Sequence, residues 1–230
     1  SAVAASFNAP IAGALFANEV VVGHYALKAF APIVISSVAR TAISRAWFGD
    51  FPAFALDSGI LASFWEFPAF ALLGICAGVV AIILMKSVGI SRTIARRLPI
   101  PRWGRPAVGG LAIGIMALWI PEVLGIGYGV TESALLLHLS LWALIAIGIA
   151  KVAATAICLG FGFGGGIFSP ALVIGAMVGG AFGLIATGAF PDYSSGAGAY
   201  TIVGMGAVAA AVLGAPISTT LIIFEMTNNY

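Results

Sequence analysis

A glycine run followed by a helix-start signal is the stretch of this 230-residue sequence best suited to bind a ligand. It reads Gly160-Phe161-Gly162-Phe163-Gly164-Gly165-Gly166-Ile167-Phe168-Ser169-Pro170 and leads into the apolar stretch Ala171–Ala186. Glycines let the backbone turn sharply and approach a ligand closely, and proline is favoured in the first turn of a helix. A helix that begins here directs its first amide groups and its positive dipole end toward the run, which is an arrangement that binds anions.

The composition places this candidate site in a membrane. The chain is 61% hydrophobic and 8% charged, whereas soluble domains carry about 25% charged residues. We therefore predict an all-α integral membrane protein in contact with the lipid bilayer. In transporters, the N-termini of broken helices meet anions near the bilayer midplane.

Charge placement predicts the orientation of the chain. Six of the ten basic residues lie between residues 86 and 105, an interval with no acidic residue: Lys86, Arg92, Arg96, Arg97, Arg102 and Arg105. The positive-inside rule predicts that this basic loop is cytoplasmic. Because the chain is so apolar, we expect no nucleic acid partner.

Several apolar segments are too short to cross a bilayer, which requires about 20 residues. Ala9–Val21 and Ala107–Ile120 are such segments, and residues 122–132 have the glycines of a re-entrant turn. Longer segments predict spanning helices at Tyr25–Phe48, Phe67–Met85 and Ser133–Leu159, and the apolar stretch Ala171–Ala186 follows the glycine run. Irregular backbone at membrane depth is tolerated only where protein buries it or where it lines a cavity. The pattern predicts tilted and broken helices around an internal pathway.

An internal repeat relates the two ends of the chain. An ungapped alignment of Pro10 with Pro216 pairs Ala9 with Ala215, Ile11 with Ile217 and Glu19 with Glu225. Duplicated halves are typical of transporter folds. We therefore expect one transmembrane domain over 1–230, in which 1–48 ends a first repeat and 67–230 forms most of a second. The counterpart of the glycine run would then precede Ser1, so we expect a piece of a longer protein.

No arrangement of residues predicts catalysis, a metal site or a cofactor. His24 and His138 have no partners at metal-ligand spacing, and Cys76 and Cys158 lie singly in apolar segments. Residues 160–165 fit G-x-G-x-x-G but lack the acidic residue about twenty positions later that dinucleotide binding requires. We predict that the protein is not an enzyme. Glu19 and Glu225 lie in apolar helices, where they either serve function or hydrogen-bond a helix end.

The sequence resembles the CLC family of chloride channels and chloride/proton exchangers. Gly166-Ile167-Phe168-Ser169-Pro170 is similar to the family's G-x-F-x-P signature. Residues 7–13, with Phe16 and Glu19, resemble its "FNAPLAG…F..E" helix, and 204–227 resembles its "GMGA…AP…EMT" stretch. These matches follow the family's order along the whole chain.

The resemblance implies an inverted-repeat bundle that forms a homodimer, with one anion pathway in each subunit. Chloride would be the ligand, held by backbone amides at Gly166, Ile167 and Phe168. The dimer interface would be formed by the helices at Pro10-Ile11 and Pro216-Ile217. The expected location is the bacterial inner (plasma) membrane.

Three motifs of the family are not in this chain: the serine motif, the gating-glutamate motif and a late tyrosine. We expect the first two before Ser1 and the tyrosine after Tyr230. At the candidate proton and water pathway beside Glu19, Val20 stands where proton-coupled members have glutamate, which slightly favours channel-type conduction. The alternatives are a chloride/proton antiporter and a fluoride- or nitrate-selective relative. A non-conducting membrane scaffold and an intramembrane enzyme are remote alternatives.

Overall fold

The computed structural model describes residues 2–23, 27–49, 66–191 and 194–227, and all regular structure in these ranges is helical. Short non-α segments are a π-helical stretch, Ala17–Val22, and a 3₁₀ turn, Pro121–Val123. The α-helices are α1 (Ala2–Phe7), α2 (Pro10–Phe16), α3 (Leu27–Phe48), α4 (Phe67–Arg97), α5 (Arg105–Trp119), α6 (Tyr128–Leu135), α7 (Leu141–Phe161), α8 (Phe168–Ala189), α9 (Ala197–Leu213) and α10 (Pro216–Thr227).

Three helices in the described part of the chain are long and apolar enough to cross a membrane: α4, α7 and α8. This confirms the prediction of an all-α membrane fold. The predicted span Tyr25–Phe48 forms the 22-residue helix α3, although Tyr25 lies outside the described residues. α3 has sufficient length but carries Arg40 and Arg45, and it is not one of the three apolar spans.

Two predicted boundaries were wrong. The first half of the predicted basic loop is helical, because α4 continues through Lys86 to Arg97. No proline lies between Lys86 and Pro99 to end the helix, so the basic residues form its last turns. The predicted span Ser133–Leu159 is divided between α6 and α7, with Leu137 in a left-handed conformation at the break (φ 58°).

The helices form two compact units. In the larger unit, α7 packs against α4, α5 and α8. Glycines allow the closest approaches: a Cβ at Gly160 would overlap the Ser91 hydroxyl of α4, and one at Gly179 would overlap the Tyr200 carbonyl oxygen of α9. Small residues at such crossings are typical of helix packing in membranes.

The smaller unit contains α1, α2, α3 and α10. Polar groups of α3 face the first two helices: the Ser37 hydroxyl donates to the Pro10 carbonyl oxygen at 2.7 Å, and Arg45 Nε donates to Asn8 Oδ1 at 2.7 Å. α3 therefore directs polar side chains toward protein.

The α8–α9 crossing generates a stability prediction. We expect Gly179→Val in the full-length protein to lower the melting temperature by about 2–6 °C, because overpacking costs about 1–3 kcal/mol. Gly188→Val is the matched control, since a Cβ at Gly188 of the same helix meets nothing within 4 Å. Thermal unfolding of the purified variants measures the effect, and equal melting temperatures for the two would contradict the packing described.

Candidate functional site

The glycine run forms an irregular connection between α7 and α8. Gly162 ends α7 in a left-handed conformation (φ 91°), which glycine adopts without strain. The amide of Phe163 donates to the Cys158 carbonyl oxygen at 3.0 Å. Residues 163–166 then leave regular structure, and residues 162–166 are exposed. The connection therefore presents backbone, with few side chains, at an accessible face.

α8 begins directly after this connection. Phe168 is its first residue and is buried, whereas the preceding Ile167 is half-buried and makes no side-chain cap. The Ala171 amide donates to the Ile167 carbonyl oxygen at 3.0 Å. The Ile167 and Phe168 amides precede that first helical hydrogen bond and lie at the N-terminal end of the helix. A Cβ at Gly166 would meet nothing within 4 Å, so the chain leaves open space beside this helix end.

The amides at this helix end can bind an anion without a full opposing charge. The dipole of a helix places about half an elementary positive charge at its N-terminus. Such a site attracts a monovalent anion but holds it less tightly than an Arg or Lys side chain would. Gly166, Ile167 and Phe168 therefore lie at the start of a long helix, as the sequence predicts.

A loop before α6 supports the beginning of α8. The Ser169 hydroxyl donates to the Ile126 carbonyl oxygen at 3.0 Å. Gly127, in a left-handed conformation (φ 87°), lies so close to Val173 that its Cβ would be 2.6 Å from Val173 Cγ2. These contacts fix the loop against the first two turns of α8.

Sequence analysis overlooked Lys151, which binds the same loop from α7. This side chain is 3% exposed, and its Nζ donates to the carbonyl oxygens of Val123 and Gly125 at 2.8 and 3.0 Å. A lone lysine inside a 21-residue apolar helix was the available signal, because ionisable residues within a membrane are costly and mark functional sites.

Two glutamates bind helix starts in a reciprocal arrangement. Glu225, in α10, binds the start of α2, and Glu19, just after α2, binds the start of α10. Glu225 accepts from the amides of Ile11 and Ala12, at 3.2 and 2.8 Å. Glu19 accepts from the amides of Ile217 and Ser218, at 3.4 and 2.7 Å. α2 and α10 therefore run antiparallel, and both carboxylates serve as caps, one of the two roles considered for them.

In this reciprocal exchange of glutamates, every backbone amide in the first four positions of α2 and α10 has a hydrogen-bond acceptor. The first residue of each helix is proline, which has no N–H. The next two amides bind the glutamate. The fourth donates to the carbonyl oxygen before the proline: Gly13 to Ala9 at 2.9 Å, and Thr219 to Ala215 at 3.2 Å.

A third glutamate, Glu66, binds residues that follow the C-terminal end of α8. Glu66, just before α4, is 3% exposed and accepts from the amide and hydroxyl of Ser195 and from the Tyr200 hydroxyl. It borders a cavity of about 770 Å³ whose other walls are mostly apolar, including Leu72 and Phe182. This cavity is remote from the glycine run and does not belong to the candidate anion site.

Comparison with known proteins identifies the family. A model of the family described as "Voltage gated chloride channel" matches residues 1–230. The chain belongs to this family. This confirms the resemblance found in the sequence. A ClcB-like protein of Ralstonia nicotianae is 36% identical over 230 residues, covering 99% of this chain and 53% of the relative.

Two further comparisons agree on the family. The H⁺/Cl⁻ exchange transporter ClcA of Cronobacter sakazakii is 34% identical over 235 residues, covering 99% of this chain and 50% of ClcA. The crystal structure of a slow cyanobacterial Cl⁻/H⁺ antiporter is similar with a TM-score of 0.90 at 28% identity, covering 99% of this chain and 54% of the antiporter chain. The chain therefore spans about half the length of these relatives.

The structure locates the remaining predicted residues of this family member. Val20 lies in the π-helical stretch beside Glu19. Ile11 and Ile217, predicted at the dimer interface, are 60% and 54% exposed. His24 lies outside the described residues, and His138 is exposed. The described residues contain no group of three potential metal ligands.

The exchanged glutamates generate a second prediction. We expect Glu225→Ala in the full-length protein to destabilise it by about 1–2 kcal/mol, because the α2 amides lose a charged cap. Glu19→Ala should have a similar effect at α10, because the two sites have matching geometry. Thermal unfolding checks both variants against Glu132→Ala, an exposed glutamate on α6. A Glu225→Ala protein as stable as Glu132→Ala would contradict the capping role.

Proposed function

We propose that the full-length protein transports chloride, and that the anion binds at the N-terminus of α8 to the backbone amides of Ile167 and Phe168. The observation that carries this proposal is the helix start itself. A 22-residue apolar helix begins without a side-chain cap beside an open, glycine-lined backbone. Transport, and not catalysis, is also the activity named in the ClcA and cyanobacterial relatives.

Amide ligands suit an ion that must leave as well as bind. A permeating ion requires binding strong enough to draw it from water but weak enough for exit. In the low dielectric of a membrane protein, amide dipoles are effective, because each interaction is stronger than in water. No chloride-binding basic side chain is needed in this proposal. Gly166 contributes close backbone approach, since it has no Cβ to obstruct the ion.

The other walls of the site come, in this proposal, from sequence outside these 230 residues. Residues 162–166 are exposed here, and the relatives are about twice as long as this chain. The serine, gating-glutamate and tyrosine motifs implied by the family resemblance would supply these walls. A fluoride- or nitrate-selective pathway would differ in those same motifs, so anion selectivity is part of the proposal's test.

We further propose a homodimer in a bacterial inner membrane with residues 86–105 on the cytoplasmic side. In this proposal the exposed apolar side chains of Ile11 and Ile217 form part of the interface at α2 and α10. The glutamate exchange supports the assignment of α2 and α10 to corresponding positions of two inverted repeats. The basic residues at the end of α4 support the orientation.

The proposed mode of transport is channel-type conduction, with chloride/proton antiport as the second candidate. Val20 cannot carry a proton, and the neighbouring Glu19 carboxylate is bound to two backbone amides. Antiport is favoured by the relatives, because ClcA and the cyanobacterial protein are named as exchangers. Glu19 is the carboxylate that would carry the proton in that case.

Replacing the amide of Ile167 tests the anion site. Ile167 has φ −88°, near the range of proline, and follows a glycine, so Ile167→Pro removes one N–H with little backbone change. We expect the chloride dissociation constant of the full-length protein to rise about 10-fold or more, because hydrogen bonds to charged groups are worth about 1.5–3 kcal/mol. Isothermal titration calorimetry measures it.

Ile167→Ala is the matched control for that substitution. It shortens the same side chain but keeps the amide, so chloride affinity should stay within about threefold of the wild type, since less than 1 kcal/mol is involved. An equal loss of affinity in both variants would attribute the effect to side-chain packing and contradict binding by the amide.

Ion flux from liposomes distinguishes the two modes of transport. With the full-length wild type, we expect chloride efflux down its gradient, without proton movement in a fixed ratio to chloride. Chloride flux and external pH are recorded together, and protein-free liposomes are the control. Proton uptake in a fixed ratio to chloride would contradict channel-type conduction and support the antiporter. Absence of any anion flux would contradict both and indicate the non-conducting scaffold.

A further inference from the structure

We propose that Lys151 is a positioning residue for the anion site: it holds the loop 123–127 against the beginning of α8. This inference rests on the proposed function, because it assigns Lys151 a role at the same helix end. Lys151 contacts neither the glycine run nor α8 in any hydrogen bond described. It acts through the loop.

The burial of Lys151 is too costly to be incidental. A charged side chain at the centre of a transmembrane helix is costly, and such residues are rare and usually functional. Lys151 is 3% exposed, and its Nζ has two carbonyl partners on the loop. The carbonyl oxygen of Lys151 also accepts from the Thr155 hydroxyl at 2.7 Å, which fixes this turn of α7. Within the part of the chain that the structure describes, the hydrogen-bond partners of the Lys151 Nζ are therefore backbone carbonyl oxygens.

The loop needs such a donor because its backbone is irregular. Between the 3₁₀ turn at Pro121–Val123 and α6, it passes through Gly125 and Gly127, both in left-handed conformations (φ 69° and 87°). The Val123 and Gly125 carbonyl oxygens that Lys151 binds lie at or beyond the end of the 3₁₀ turn and before α6, and unsatisfied backbone groups are costly in an apolar environment. Lys151 supplies two of the missing donors from a single nitrogen.

The same loop reaches α8 within its first two turns. Ile126 accepts the Ser169 hydroxyl at 3.0 Å, and Gly127 contacts Val173. Ser169 is one residue after Phe168, whose amide is proposed to bind the anion. A continuous path therefore runs from Lys151 through Gly125 and Ile126 to Ser169, and a loop released by Lys151 would leave the start of α8 less firmly held.

The test uses the purified full-length protein with Lys151→Met, which keeps an unbranched apolar stem and removes the donors. Lys86→Met is the matched control, because Lys86 is exposed on α4. We expect Lys151→Met to raise the chloride dissociation constant about 10-fold, because a released loop would hold the α8 amides less firmly in place, and Lys86→Met to leave it unchanged. Lys151→Arg, which retains several donors, should restore most of the affinity.

Hydrogen exchange supplies a readout that does not depend on chloride. In Lys151→Met, backbone amides of residues 121–130 and 167–171 should exchange faster, while those in the middle of α4 should not change. A double-mutant cycle with Ser169→Ala should be non-additive, because both substitutions cut the same path. If Lys151→Met does not fold, Lys151→Gln carries the same measurements with one donor group retained.

The outcomes separate this inference from the proposed function. If the wild type binds chloride but the Lys151 variants match it in affinity and in exchange, the positioning role is wrong and the anion site stands. Independent effects of the Lys151 and Ser169 substitutions would also overturn it. If the wild type binds no chloride, the proposed function fails. Faster exchange at residues 167–171 would then still support the path from Lys151 to α8.

Discussion

Backbone groups at the ends of broken helices must find partners inside the protein, because lipid offers none. This constraint explains the partners of three charged residues in this chain. The carboxylates of Glu19 and Glu225 accept from exposed helix starts, and the ammonium group of Lys151 donates to an irregular loop. In each case a full charge is matched to backbone and not to an opposite charge. These three side chains therefore bind backbone groups at the places where regular structure stops or begins.

The same physics distinguishes the start of α8 from the starts of α2 and α10. The two short helices have their free amides bound by carboxylates from the chain itself. α8 is longer, is preceded by five exposed residues, and has no side-chain cap at Ile167. A permanent carboxylate at that position would compete with any anion for the amides. A helix start without one, beside glycine, is consistent with a ligand that binds and leaves.

The sequence predicted the helical class and the break between α7 and α8, where the candidate anion site is proposed, because these features depend on local signals. Glycine, proline and apolar length act within one segment, so the end of α7 at Phe161 and the start of α8 could be located. The division between α6 and α7 was missed, since Leu137 adopts a left-handed conformation that its side chain does not predict. The helical end of α4 was missed because clustered basic residues were interpreted as a loop, although arginine and lysine are good helix formers.

Partnerships between distant residues could not be predicted from one sequence. Glu19 and Ser218 are 199 positions apart, and Lys151 is 28 positions from Val123. The repeat did align Glu19 with Glu225, but equivalence between copies does not reveal that each residue binds the other copy's helix. The exchange has a consequence for the two helices: the start of each is capped by a glutamate near the end of the other, and not by a side chain of its own. A change in either glutamate therefore acts on the start of the other helix.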